Sequence, residues 1–199
     1  MFGSRIVLAD ADPAFRKNLK EMLTKAGYII VAEAGDGLSA LKAIKSMHPD
    51  LAILDARLPV KDGLEVAKII EEDRVAPVLL LTAYNHKDIV QQAKDSWVFA
   101  YLVKPVNEAN LFPAIEIAIA NYRRMLSLER EIHRLKETLE TRKLVERAKG
   151  ILMEVLDLSE AEAFKKIQKE SMNKRTSMRQ IAQSIIVAYE KGRVVRSKE

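Results

Sequence analysis

Apolar and polar positions switch repeatedly between two periods over the first 120 residues. Arg5-Ile-Val-Leu-Ala9 is a short apolar run that ends in acids. From Asp12-Pro13 the spacing becomes helical, with Phe15, Leu19, Met22 and Leu23 on one face and Gly27 closing the helix. Tyr28 to Ala34 predicts a second strand, Gly35-Asp36-Gly37 a turn, and Leu38, Leu41 and Ile44 a second helix stopped by Pro49. Leu51-Ala-Ile-Leu54 predicts a third strand, buried on both faces by its composition. Val78-Leu-Leu-Leu81 predicts a fourth and Ala100-Tyr-Leu-Val103 a fifth, with a helix between each pair. Five such units imply an α/β fold, a doubly wound five-stranded parallel sheet with right-handed crossovers.

The second half reads as helix alone. Neither Gly nor Pro occurs between Pro113 and Gly150, so the last helix of the sheet domain is expected to continue onward. Met125, Leu128, Ile132, Leu135 and Leu139 are spaced 3, 4, 3 and 4, a heptad seam flanked by Glu129, Arg130, Glu131, Arg134, Lys136 and Glu137. Such a seam fits a coiled-coil dimer or a helix packed within the chain. Three helices are predicted to follow. Leu144, Ala148, Ile151, Leu152 and Val155 line the first. Ser159-Glu-Ala-Glu162 is a capping box for the second, with Ala163, Phe164 and Ile167 inward. Ser177-Met-Arg-Gln180 caps the third, lined by Met178, Ile181, Ala182, Ile185, Ile186 and Tyr189 and ended by Gly192. The predicted organisation is a sheet domain over 1–122, a helical coiled-coil linker over 123–142 and a three-helix all-α domain over 143–199.

Charge divides the chain at the same place. Residues 1–120 carry 14 Lys and Arg against 16 Asp and Glu, whereas residues 121–199 carry 19 against 12, a net +7. A basic half suits a phosphate-rich partner. The chain has no cysteine, which excludes disulfides, thiolate zinc sites and a cysteine nucleophile. The three histidines, His48, His86 and His133, are too far apart in sequence for a local metal cluster. The longest apolar run, Trp97 to Val103, is far short of the ~20 residues that span a bilayer, and the apolar run near the N-terminus is too short for a signal-peptide core. A cytoplasmic location is expected.

In a doubly wound sheet, function sits at the carboxyl ends of the strands. Those ends read Asp10, Asp12, Asp55, Thr82 and Lys104. Crowded carboxylates need a cation, and oxygen donors favour Mg²⁺. With the charge neutralised, one carboxylate can attack a phosphoryl group while Lys104 and Thr82 hold its oxygens.

Residues 4–122 resemble the receiver domain of two-component response regulators, a flavodoxin-like fold. The resemblance rests on Asp10-Ala-Asp-Pro13, Leu54-Asp55, Leu58-Pro-Val-Lys-Asp-Gly63, Leu81-Thr-Ala83 and Tyr101-Leu-Val-Lys-Pro105. It implies that Asp55 accepts a phosphoryl group from a sensor histidine kinase. It also implies that Asp10, Asp55 and the backbone carbonyl of Arg57 hold Mg²⁺, that Thr82 and Tyr101 are the switch pair, that Lys104 pairs with the phosphate, and that the Lys104–Pro105 bond is cis. One departure matters. The family carries two adjacent acids after the first strand, and here the second position is Ala11. Either Asp12 substitutes as a ligand, or metal binding is weak and the domain is a non-phosphorylated pseudo-receiver.

Residues 135–192 resemble the ANTAR domain of AmiR, NasR and EutV-like transcription antiterminators. The matching stretches are Val145-Glu-Arg-Ala-Lys-Gly-Ile-Leu-Met153, Ser159-Glu-Ala-Glu-Ala163 and Ser171-Met-Asn-Lys-Arg175. The resemblance implies binding to paired stem-loops in an mRNA leader, which prevents a terminator from forming. Lys149, Lys174 and Arg175 are the first candidates for RNA contact, followed by Arg147 and Arg179. Arg142, Lys143, Lys165, Lys166 and Lys169 are further candidates among the basic residues. The expected protein is a regulator and not an enzyme, a homodimer when phosphorylated, joined through the Met125–Leu139 seam. A receiver-controlled protein-interaction module and a DNA-binding regulator are the alternatives. Against the latter, Ser171 to Thr176 is longer than a helix-turn-helix turn and lacks Gly.

Overall fold

The computed structural model describes residues 3–83 and 97–196. Five strands form one parallel sheet: β1 (Arg5–Ala9), β2 (Ile29–Ala34), β3 (Leu51–Asp55), β4 (Val78–Thr82) and β5 (Val98–Val103). Their order is β2-β1-β3-β4-β5, the flavodoxin-like arrangement, whose switch point lies between β1 and β3. The helices described are α1 (Pro13–Lys25), α2 (Gly37–Met47), α3 (Gly63–Asp73), α4 (Glu108–Leu156), α5 (Glu160–Asn173) and α6 (Met178–Arg196). The helix expected between β4 and β5, with His86, falls outside the described residues. Among those described, no helix is long and apolar enough to cross a membrane.

Side chains alternate across a strand, so each strand feeds two cores. Val7, Ala9, Leu54 and Leu80 face α2 and α3 through Ala40, Ile44, Val66 and Ile70. Ile6, Leu8, Ile53, Leu79 and Leu81 face Leu19 and Leu23 of α1 and Leu111, Ile115 and Ala118 of α4. All are buried, which matches the apolar runs of β1, β3 and β4. Leu38 departs from its predicted inward role and is exposed, because Gly37, Ala40 and Ile44 form the buried face of α2.

Acids set the helix starts. Asp12 caps α1 by accepting from the Ala14 and Phe15 N–H groups, and Pro13 occupies the first helical position, where no N–H is needed. Asp62 and Glu65 form a capping box on α3. Ser159 and Glu162 form the predicted box on α5, and Ser177 with Gln180 the one on α6.

The chain divides into two compact units, residues 1–126 and 127–199. The second has its own core, built from Val145, Ala148, Ile151 and Leu152 of α4, Ala163 and Ile167 of α5, and Ile181, Ala182 and Ile186 of α6. Several expectations change here. The first of the three predicted helices is the end of α4 and not a separate element. Val155 and Phe164 are exposed, since Ile151, Leu152, Ala163 and Ile167 fill the space between the helices. Gly192 does not end α6, which continues to Arg196; glycine weakens a helix but keeps its N–H in the ladder. The connection from α5 to α6 is four residues, 174–177, with Arg175 at φ 49° in the left-handed region that glycine would otherwise fill. The length argument against a helix-turn-helix therefore lapses; what remains is that Ile181, Ala182 and Ile186 of α6 are buried.

Candidate functional site

The carboxyl ends of β1, β3 and β5 meet at one point. Asp10 follows β1 and is buried; Asp55 ends β3 and is mostly covered. Lys104 follows β5, and its Nζ donates to Asp10 Oδ2 at 2.6 Å and to Asp55 Oδ2 at 2.5 Å. The three residues are separated by 45 to 94 positions in the chain, and only the strand order brings them together. Asp55 Oδ1 accepts from the Arg57 N–H at 2.8 Å, which turns the loop after β3 back over the carboxylate. Thr82 is buried at the end of β4, and its carbonyl accepts from the Lys104 N–H at 2.7 Å. Tyr101 lies half-buried on β5, opposite Leu80. The Lys104–Pro105 peptide is cis.

The electrostatics follow from burial and pairing. Burial pushes the Asp10 carboxyl above its ordinary value, against the lowering pull of Lys104 and of the Asp12 N–H. Burial pulls the Lys104 ammonium down, but its hydrogen bonds to Asp10 and Asp55 and their negative charge outweigh it and hold the group above the usual lysine value. Lys104 also sits 4.2 Å over the ring of Phe15, a cation–π contact that adds to its fixation.

Asp12 is not gathered into this cluster. Its Oδ1 caps α1, at 2.8 Å from the Ala14 N–H, and among the described residues no three carboxylates or imidazoles are placed to share a metal ion. Beside the position that Ala11 leaves apolar, Arg16 donates to the Asp10 carbonyl at 2.6 Å and lies 3.8 Å from Glu33. The donor set for a cation is two carboxylates, Asp10 and Asp55, with peptide oxygens nearby. That chemistry fits Mg²⁺, which keeps several waters and takes one or two carboxylates.

Sequence reasoning missed three supporting residues. Phe15 reads in the sequence as a position on the apolar face of α1 and nothing more. Arg16 carries no motif. Gly63 lies within a quoted motif, but its reason appears only in space: a Cβ there would lie 2.2 Å from the Asp55 carbonyl oxygen. The chain reverses just before Gly63 at Val60, whose φ is 70° with the Lys61 N–H bonded to the Pro59 carbonyl. This is a tight γ-turn of the rarer, strained hand.

The predicted RNA contacts fare differently from one another. Lys149 is buried, pairing with Glu146 at 2.9 Å and Glu160 at 2.6 Å, so it joins α4 to α5 and offers no free ammonium. Arg147 is exposed but paired with Glu190 at 2.6 Å. Lys174 is exposed and lies 3.2 Å from Glu170; Arg175 is exposed at the turn and Arg179 is half-buried. Along α4, Leu128, Ile132, Leu135 and Leu139 are all more than half exposed, whereas Met125 packs on the core of the first unit. The four remaining seam residues form an exposed apolar row along α4.

Residues 6–116 match the response regulator receiver domain, and residues 133–186 match the ANTAR domain. The chain is 43% identical over 182 residues to the transcriptional regulatory protein PdtaR of Mycobacterium tuberculosis, covering 92% of this chain and 89% of that one. Among solved structures it is similar to the signal receiver domain of the response regulator NarL from Mycobacterium tuberculosis, with a TM-score of 0.58, 31% identity, and coverage of 60% of this chain and 98% of that one. The fold also matches a CheX–CheY complex with beryllofluoride and magnesium from Borrelia burgdorferi, with a TM-score of 0.54, 24% identity, and coverage of 57% of this chain and 87% of that chain.

Proposed function

This chain belongs to the response regulators, with a receiver domain followed by an ANTAR domain, and on that premise we propose that phosphorylation of Asp55 controls binding of mRNA stem-loops and so transcription antitermination. The observation that carries the reading is the Lys104 ammonium held between Asp55 and Asp10 at the strand ends, in the same chain as a basic helical unit. A sensor histidine kinase is the proposed donor. An Asp55 oxygen attacks phosphorus, the bond from phosphorus to the imidazole nitrogen breaks, and that nitrogen keeps the electron pair. Lys104 and the Thr82 hydroxyl hold phosphoryl oxygens as charge shifts onto them. Mg²⁺ bound by Asp10, Asp55 and the Arg57 carbonyl would supply further neutralisation there. The protein acts on itself as a cytoplasmic switch and does not turn over a substrate.

The ANTAR unit is proposed to grip RNA through the exposed Lys174 and Arg175 and the half-buried Arg179, because single-stranded loops display phosphates and unstacked bases together. The exposed Leu128, Ile132, Leu135 and Leu139 row supports a homodimer, since 3-4 spacing suits a second copy of the same helix. Two ANTAR units held together would bind paired hairpins at raised effective concentration.

Acetyl phosphate with Mg²⁺, followed by intact mass and a hairpin gel shift, tests the reading. One phosphoryl group is expected on the parent chain and none on Asp55→Asn, with tighter hairpin binding after phosphorylation. Equal affinity for duplex DNA of the same length overturns the RNA assignment. A second reading has one observation in its favour. Ala11 removes an acid and Asp12 caps α1 instead, so a chain that takes no phosphoryl group but binds hairpins constitutively is a pseudo-receiver.

A further inference from the structure

The second unit holds an exposed aromatic ring that no core claims. Phe164 is its one phenylalanine, and the ring is 41% exposed although Ala163 and Ile167 on the same helix are fully buried. Phe164 lines a groove of ≈ 470 Å³ together with Thr141, Arg142, Val145, Glu146 and Met178. Val145 is buried and Met178 packs on the core, so the floor is apolar. Thr141, Arg142, Val145 and Glu146 share one face of α4 at spacings of three and four. The Glu146 carboxylate is taken by Lys149 at 2.9 Å. Arg142 is exposed and has no ion-pair partner among the described residues.

We infer that this groove takes a single unstacked RNA base, stacked on the Phe164 ring and flanked by the Arg142 guanidinium. The inference rests on the RNA-binding reading and adds the subsite. Aromatic rings and guanidinium planes are the usual partners of splayed-out loop bases. The groove offers both at once, with Thr141 also in its lining. An aliphatic side chain would leave Arg142 unused, and an acidic peptide would leave the Phe164 ring unused. A base joined to its phosphate uses both, and residues 121–199 carry net positive charge to match.

The test selects RNA hairpins from a randomised-loop library on the full chain treated with acetyl phosphate. Phe164→Leu keeps apolar bulk and removes the π face, so the selected hairpin should bind about ten- to a hundredfold more weakly. The slope of affinity against salt should stay the same, because no charge is lost. Phe164→Trp should give fluorescence that the hairpin quenches, and an abasic replacement at one loop position should abolish the quenching. Circular dichroism checks that both variants fold. Equal binding by Phe164→Leu, or quenching that survives every single abasic replacement, overturns the inference while leaving RNA binding intact. A loss of RNA-free dimer in Phe164→Leu on sedimentation also overturns it and assigns the groove to a second copy of the chain. Failure of any hairpin to enrich overturns the RNA reading and this subsite with it.

Discussion

Each unit of this protein holds a lysine between two carboxylates, and the two sites do opposite things. Lys104 meets Asp10 and Asp55, which come from neighbouring strands far apart in sequence and are themselves covered. Lys149 meets Glu146 and Glu160, which lie close in sequence and are largely exposed. At Lys104 the carboxylates are held near one another by the sheet and covered, and the cation between them offsets their charge. At Lys149 the lysine is the hidden partner and the acids are solvated, so the Glu160 pair ties α4 to α5 while the Glu146 pair stays within α4. A family-like motif around a lysine therefore says little about its task; what decides it is which side of the pair is withheld from water.

The sharpest way to break this comparison is at Lys104. Lys104→Ala should lower phosphoryl incorporation by about 10²–10³-fold, measured by mass after acetyl phosphate treatment, while Lys149→Met leaves it unchanged. Incorporation that survives Lys104→Ala would make the first site no more chemical than the second.

Dimerisation comes next. Leu135→Lys puts a charge into the exposed row of α4 and should convert beryllofluoride-treated protein from dimer to monomer in sedimentation. A shift of a few kcal/mol is enough to move such a balance from one side to the other.

Gly63→Ala should destabilise the first unit by about 1–3 kcal/mol in urea denaturation, because the added Cβ meets the Asp55 carbonyl. It should also slow phosphorylation by displacing the acceptor strand end.

Lys149 sharpens the contrast through pH. Hydrogen bonds donated to Glu160 and Glu146 raise its ammonium above the ordinary lysine value, against the lowering effect of burial. The stabilisation is fully present below the unfolded value of about 10.4 and is lost as pH rises through the higher folded value. Melts of the C-terminal helices should therefore lose stability above about pH 10.4 in the parent chain and show a flatter alkaline limb in Lys149→Met.

The smallest effect is expected at Arg175, where Arg175→Gly relieves a left-handed backbone. Stability should change by about 1 kcal/mol or less, on the favourable side, while hairpin binding weakens. A variant that loses both would place Arg175 with Lys149 as a structural residue.

Much of the fold is legible locally. Apolar runs marked the five strands, and the capping pairs Ser159 with Glu162 and Ser177 with Gln180 marked the helix starts. Asp12 was legible as a cap as well as a candidate ligand, and only the structure shows the cap in use. Phe164 read as core because its spacing matches Ala163 and Ile167 no worse than other apolar positions do. Lys149 stands out by its motif, and only the structure shows its ammonium buried between Glu146 and Glu160.

What the sequence determined by itself is whatever depends on neighbours a few residues away: strand and helix periods, caps, the heptad spacing and the uneven charge. These rest on backbone geometry and side-chain spacing, which are local. Tertiary structure alone decided that β1 lies between β2 and β3, that Asp10, Asp55 and Lys104 converge, that Gly63 touches Asp55, and that Lys149 is hidden while Phe164 is not. Each of these depends on which surfaces exclude water once distant segments pack, and burial sets both the electrostatics and the availability of a side chain.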